Sequence, residues 1–196
     1  MSGRQGKQEE IRKAAVDVIA EYGYHYATTD KIAEAANVAV GTIYNYFRNK
    51  EDILEYIFQR EVDKRFRYYE VLSAQSLPAV EKLHLLLQRH FSEIMAEPTL
   101  GRIMIRERYA PADRQLGSIK EFIRGVPFRI ESLLKDAVKQ DEIKACDTSL
   151  VATALWGSVE AVVAKAIYTD DSHEQQAILS GAAHKLVDLY LQGLKK

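Results

Sequence analysis

Apolar residues recur at three- and four-residue spacing along the whole chain, and no run of alternating β-branched residues bounded by turn signals interrupts them. A chain patterned this way buries helix stripes, so the fold class is all-α, with about nine helices expected. The first helix is read at 8–22, with Ile11, Ala14, Ala15, Val18, Ile19 and Tyr22 on one stripe, and Gly23 ends it. Thr28 and Thr29 offer hydroxyl caps to a short helix that buries Ile32, Ala33 and Ala36 and breaks at Asn37. A second short helix, 40–47, turns Ile43 and Phe47 inward and leaves Thr42, Asn45 and Tyr46 pointing elsewhere. Asn49 followed by Asp52 is close to a capping box, and it opens a long helix through Ile53, Leu54, Ile57, Phe58 and Val62 toward Leu72.

Pro78 suits the start of the next helix, whose stripe of Leu83, Leu86, Leu87, Phe91, Ile94 and Met95 is stopped by Pro98. A shorter helix is expected at 100–109, a loop at Pro111-Ala112-Asp113, and a long helix at 119–139. Gly125 and Pro127 predict a kink there, with room for a cavity. The last two helices, read at 148–168 and 173–194, are the most apolar.

A formal net charge of −1 excludes a protein that coats nucleic acid through bulk positive charge; contact with DNA must be local and doubled by dimerisation. The single cysteine, Cys146, excludes an internal disulfide and points to a reducing cytoplasm. The first residues are polar, with no signal peptide or membrane span, and no membrane partner is expected. His25, His84, His90, His173 and His184 lack the spacing of a helical metal pair, and no phosphate loop or nucleophile elbow appears. The expectation is therefore no enzyme, no cofactor and no metal.

Helix, short helix, tight turn, short helix and capped long helix is the order that a helix-turn-helix needs to seat its last short helix in the major groove. The stretch 28–54, with its core Val38-Ala39-Val40-Gly41-Thr42-Ile43-Tyr44-Asn45-Tyr46-Phe47 and then Asn49-Lys50-Glu51-Asp52-Ile53-Leu54, resembles the TetR family signature. The resemblance implies a dimeric repressor with a DNA-binding domain at 1–50, its motif at about 28–47, and a ligand-binding and dimerisation domain at 51–196. Gly41 lets the backbone approach a phosphate, Thr42 can donate a hydroxyl, and Val40 opens the recognition helix. Tyr44 and Tyr46 can reach phosphates, Asn45 can pair with adenine, and Thr28, Thr29 and Lys50 would clamp the flanking backbone. Many members carry histidine where Tyr46 stands.

Beyond the head, the penultimate helix has two apolar faces, and Val151, Leu155 and Val159 are read as dimer interface. Gly181, Ala182, Leu186 and Leu189 of the last helix join them in an intermolecular four-helix bundle, the Gly181-Ala182-Ala183 patch allowing close approach. Candidate ligand contacts are Phe91, Met95, Tyr109, Phe122, Phe128 and Trp156, with Arg102 and Arg106 as an anion site. The head is also similar to the branch of the family that represses fatty-acid degradation in Gram-positive bacteria and senses acyl-coenzyme A, which implies an acyl-CoA inducer. Two other readings stand beside it: a multidrug or other hydrophobic-ligand sensor, and a helical adaptor that binds no DNA.

Overall fold

The computed structural model describes residues 3–109, 116–169 and 171–194. Among these the chain is helical with no strand, in ten segments. The expected loop at Pro111-Ala112-Asp113 lies outside the described residues.

Helix α1 (Gly3–Tyr22) starts earlier than its apolar stripe requires, and ends where Gly23, at φ 79°, donates its N–H to the Ile19 carbonyl at 2.9 Å. That left-handed residue satisfies an orphan carbonyl, as a helix C-terminus needs. Tyr22 is 44 % exposed and does not belong to the buried stripe. Helix α2 (Thr29–Ala35) is capped by the Thr28 hydroxyl, which accepts from the Lys31 N–H. It closes at Asn37, at φ 50°, with the Val38 N–H returning to the Ala33 carbonyl at 2.9 Å. Helix α3 (Val40–Tyr44) is shorter than expected, and Phe47 follows in a turn, still buried beside Ile43.

Helix α4 (Lys50–Ser73) has the predicted Asn49 cap, accepting from the Asp52 N–H at 2.8 Å. Asp52 reaches back to Arg48 rather than to Asn49, taking its backbone N–H at 3.1 Å and its guanidinium at 3.1 Å. Those bonds hold the Asp52 carboxyl below the usual range, the Arg48 side chain being the largest cause.

The body comprises α5 (Ala79–Ala96), α6 (Pro98–Arg108), α7 (Gly117–Lys139), α8 (Thr148–Ile167), α9 (Ser172–Leu179) and α10 (Ala182–Leu191). Helix α7 continues unbroken through Pro127. Gly125 serves close packing: a Cβ there would stand 2.4 Å from Cζ of Phe66, so its absence admits an aromatic ring from α4. Helix α8 is long and apolar enough to cross a membrane by length and composition. In the fold that apolarity is core: Ala152, Leu155, Trp156, Val159, Val163 and Ala166 are buried, and α8 packs on α6, α7, α9 and α10. The expected last helix is split at Ser180–Gly181, where Gly181 has φ 71°.

Two helix N-termini are held by carboxylates from distant segments. Glu142, in the 141–144 connection, accepts the Ala79 and Val80 N–H groups at 2.8 Å each. Glu55 of α4 accepts the Ser118 N–H of α7 at 2.9 Å. Each neutralises orphan donors and complements the positive end of a helix dipole. Glu142→Ala should lower unfolding stability by about 1–2 kcal/mol, with Glu142→Gln recovering part of the loss; chemical denaturation of the three proteins measures it.

Candidate nucleic-acid interface and ligand crevice

The amino-terminal head presents a polar surface built from both short helices. Tyr44 is 54 % exposed, Thr28, Gly41 and Asn45 are exposed, and Thr29, Val40, Thr42, Tyr46 and Lys50 are half-buried. Thr29 Oγ1 and the Tyr44 hydroxyl lie 3.3 Å apart, which brings the start of α2 to the end of α3. A Cβ on Gly41 would meet nothing within 4 Å, so internal packing does not require glycine there. Its missing side chain leaves backbone open to an outside partner. Lys50 donates to the Tyr24 and His25 carbonyls at 2.7 and 3.3 Å, and Lys31 sits 4.0 Å above the Tyr22 ring. Both cations are thereby anchored to the 22–26 connection at the edge of the head.

The body contains a narrow crevice, with about 30 Å³ of free space, between α4, α5, α7 and α8. Its walls carry Phe66, Tyr68, Tyr69, Leu87, Val126 and Trp156, together with Arg65, Arg89, Arg129 and a single carboxylate, Glu93. Arg65 pairs with Glu61 and lies 3.5 Å from Glu93, and Arg89 donates to Glu93 at 2.6 Å. Arg129 donates to the Gly125 carbonyl at 3.0 Å and lies 3.3 Å above the Phe66 ring. It has no ion pair among the described residues. A second narrow gap, with about 20 Å³ of free space, adjoins the first and is lined by Ile94, Gly101, Met104, Ile105, Phe122 and Val163, with the Arg108–Glu160 ion pair. His90 and Trp156 line both. Desolvation, followed by the nearby Arg65 and Arg108 charges, pushes the His90 imidazole down to about 3, so it is neutral at physiological pH.

The Bacterial regulatory proteins, tetR family model matches residues 11–57, and the Tetracyclin repressor-like, C-terminal domain model matches 76–164. The Fatty acid metabolism regulator protein of Bacillus subtilis strain 168 is 31% identical over 188 residues, covering 95% of this chain and 97% of that protein. This chain belongs to the tetR family. Among tetR-family structures, the fatty acid degradation regulator FadR from Bacillus halodurans has a TM-score of 0.82 at 31% identity, covering 92% of this chain and 94% of that one. FadR from Bacillus subtilis, solved in complex with stearoyl-CoA, has a TM-score of 0.80 at 30% identity, covering 94% and 98%. The chain is thus a tetR-type transcriptional regulator with an amino-terminal helix-turn-helix and a larger helical carboxy-terminal domain.

Of the residues expected to meet ligand, Phe122 and Trp156 reach the second gap. Phe91 is ordinary core, Met95 lines a separate groove beside Pro98 and Leu179, and Tyr109 and Phe128 are 71 % and 66 % exposed. Arg102 and Arg106 do not form an anion site: Arg102 is exposed, while Arg106 donates to the Ile19 carbonyl at 2.9 Å, tying α6 to α1. The arginines that do face the crevice, Arg65, Arg89 and Arg129, come from three helices, and linear spacing cannot assemble them.

The residues expected at a dimer interface differ in their exposure on the single protomer. Leu155 and Val159 are fully buried within the protomer, Ala182 is buried, and Gly181 turns the chain instead of offering a flat patch. Val151 and Leu186 are half-buried, and Leu189 is 68 % exposed. The outward face of α8 is instead Leu150, Thr153, Gly157 and Ala161, at helical spacing and mostly small.

An imidazole that ionises near 6.5 in the unfolded chain but near 3 in the fold takes up its proton only on unfolding. Stability should therefore fall as pH drops below about 6.5 and go on falling toward about 3. His90→Gln should flatten that part of the curve in denaturation measured across the same pH range.

Proposed function

We propose that this protein is a homodimeric cytoplasmic repressor, a binding protein and not an enzyme, that leaves a palindromic operator when a long-chain acyl-CoA occupies its body. The observation that carries the ligand class is the crevice between α4, α5, α7 and α8: an apolar, aromatic lining with three arginines around one glutamate, among which Arg129 lies over the Phe66 ring and donates to the Gly125 carbonyl. An aliphatic chain satisfies the walls and an anionic head satisfies the arginines. The stearoyl-CoA complex of the Bacillus subtilis relative supports the same class.

The operator face is assigned to α3 and its neighbours. Gly41, Val40 and Thr42 approach phosphate, Tyr44 and Tyr46 direct hydroxyls to the backbone, Asn45 reads a base edge, and Thr28, Thr29 and Lys50 flank them. Two such heads require a dimer, and the small-residue face of α8 with Leu150, Val151, Leu186 and Leu189 is the surface that lets helices of two protomers approach closely.

Ligand and operator must then oppose each other's binding through one coupling free energy. Stearoyl-CoA added to a protein–operator complex should lower DNA affinity, and operator should lower stearoyl-CoA affinity by the same factor; independent binding would overturn the reading. Tyr44→Phe should weaken all DNA sequences alike, by about 1 kcal/mol, whereas Asn45→Ala should relax preference at one base pair in a selection from random duplexes. Gly157→Arg should convert the dimer to monomer in sedimentation and abolish operator binding, with the helical signal unchanged.

A further inference from the structure

Three tyrosines stand at the connection between α1 and α2, and two of them are engaged within the protein. Tyr22 lies beneath Lys31, whose Nζ is 4.0 Å from the ring centroid, and beside the Glu21 carboxylate. Tyr24 is half-buried beside Glu51, with Lys50 Nζ 4.4 Å from its ring centroid. Tyr26 differs from both: it is 76 % exposed, and its hydroxyl has no partner among the described residues.

The backbone that carries this exposed ring is fixed. The Tyr26 and Ala27 N–H groups return to the Gly23 carbonyl at 3.2 and 3.0 Å, and Ala27 is buried. Lys31 Nζ donates to the Tyr26 carbonyl at 3.2 Å, and Lys50 Nζ holds the Tyr24 and His25 carbonyls just before it. Two side-chain torsions are all that remain to be ordered, so seating the ring on a partner costs little entropy. The connection also shares its rim with α3. Two residues on from Tyr26, Thr28 caps α2 by accepting the Lys31 N–H, and Thr29 Oγ1 lies 3.3 Å from the Tyr44 hydroxyl at the end of α3. A strand of phosphates lying against Thr29, Tyr44 and Lys50 therefore passes beside Tyr26 and Lys31. A free phenol next to an ammonium group suits such a strand: the hydroxyl donates to a phosphate oxygen and the ammonium neutralises its charge.

We propose that Tyr26 and Lys31 form a further DNA-backbone contact of the head, Tyr26 donating its hydroxyl to a phosphate and Lys31 neutralising that phosphate. The contact positions the head on the duplex and reads no base. The inference rests on the operator reading of α3, and adds to it one residue that precedes the helix-turn-helix motif and one on α2.

The test uses the full-length protein and a palindromic duplex that it selects from random DNA, with affinity read by fluorescence anisotropy between about 50 and 200 mM salt. Tyr26→Phe should weaken the complex about fivefold whatever the base sequence, with chemical denaturation unchanged. Replacing single phosphates by neutral methylphosphonates then locates the contact: at one position in each half-site the difference between the wild-type protein and Tyr26→Phe should vanish. Lys31→Gln should reduce the slope of log affinity against log salt by about two, one phosphate for each head of the dimer. Wild-type affinity in Tyr26→Phe, or a loss that persists equally at every methylphosphonate, overturns the Tyr26 contact. An unchanged salt slope in Lys31→Gln overturns the part assigned to that cation, and the operator reading stands in both cases. Selection of no duplex by the wild-type protein overturns the operator reading and this inference together.

Discussion

Helix α4 buries an apolar stripe from Ile53 and Leu54 through Ile57, Phe58 and Val62 to Leu72, packing on α1 toward its start and on α5 and α7 beyond. Each such side chain contributes about 1.5–3 kcal/mol on burial, so neither end of the helix can detach without losing a large share of the fold's stability. One hydrophobic cluster consequently runs from Ile11 in the head to Leu191 in the last helix. Head and body thus share this rod and the α1–α6 contact beside it.

Polar groups reinforce that frame where helices begin and end. Asn49, Asp147 and Asp171 cap their own helices, while Glu142 and Glu55 cap helices far away in sequence. Among the other buried charges, Arg12 pairs with Glu9 and Glu160 with Arg108, while Arg65, Lys64 and Arg89 converge on Glu93 at the crevice wall. A carboxylate in that position needs its cations, since breaking a buried pair leaves an uncompensated charge. The same cluster gives the apolar crevice its positive rim.

How legible each part was follows from how local its physics is. The Thr28 and Asn49 caps, the Asn37 break and the inward Ile43 and Phe47 depend on residues within a few positions, and they were readable in order along the chain. Periodicity marked α8 as apolar on two faces but was silent on what each face meets: Leu155 and Val159 pack inside the protomer, and Thr153, Gly157 and Ala161 face out. Arg102 and Arg106 share a helix face in sequence, yet Arg106 is consumed by a carbonyl 87 positions away. The Gly181 turn was hidden inside an apolar pattern that continues on both sides of it.

By itself the sequence determined the all-helical class, the helix-turn-helix and its capped linker, because hydrogen bonds between near neighbours and a repeating apolar stripe are written into consecutive residues. Only the tertiary structure decided the crevice, its arginine rim, the His90–Trp156 ring pair and the link from α6 to α1. Each of those joins side chains from helices far apart in the chain, and their meeting is set by how the helices pack, a property that no single stretch of sequence contains.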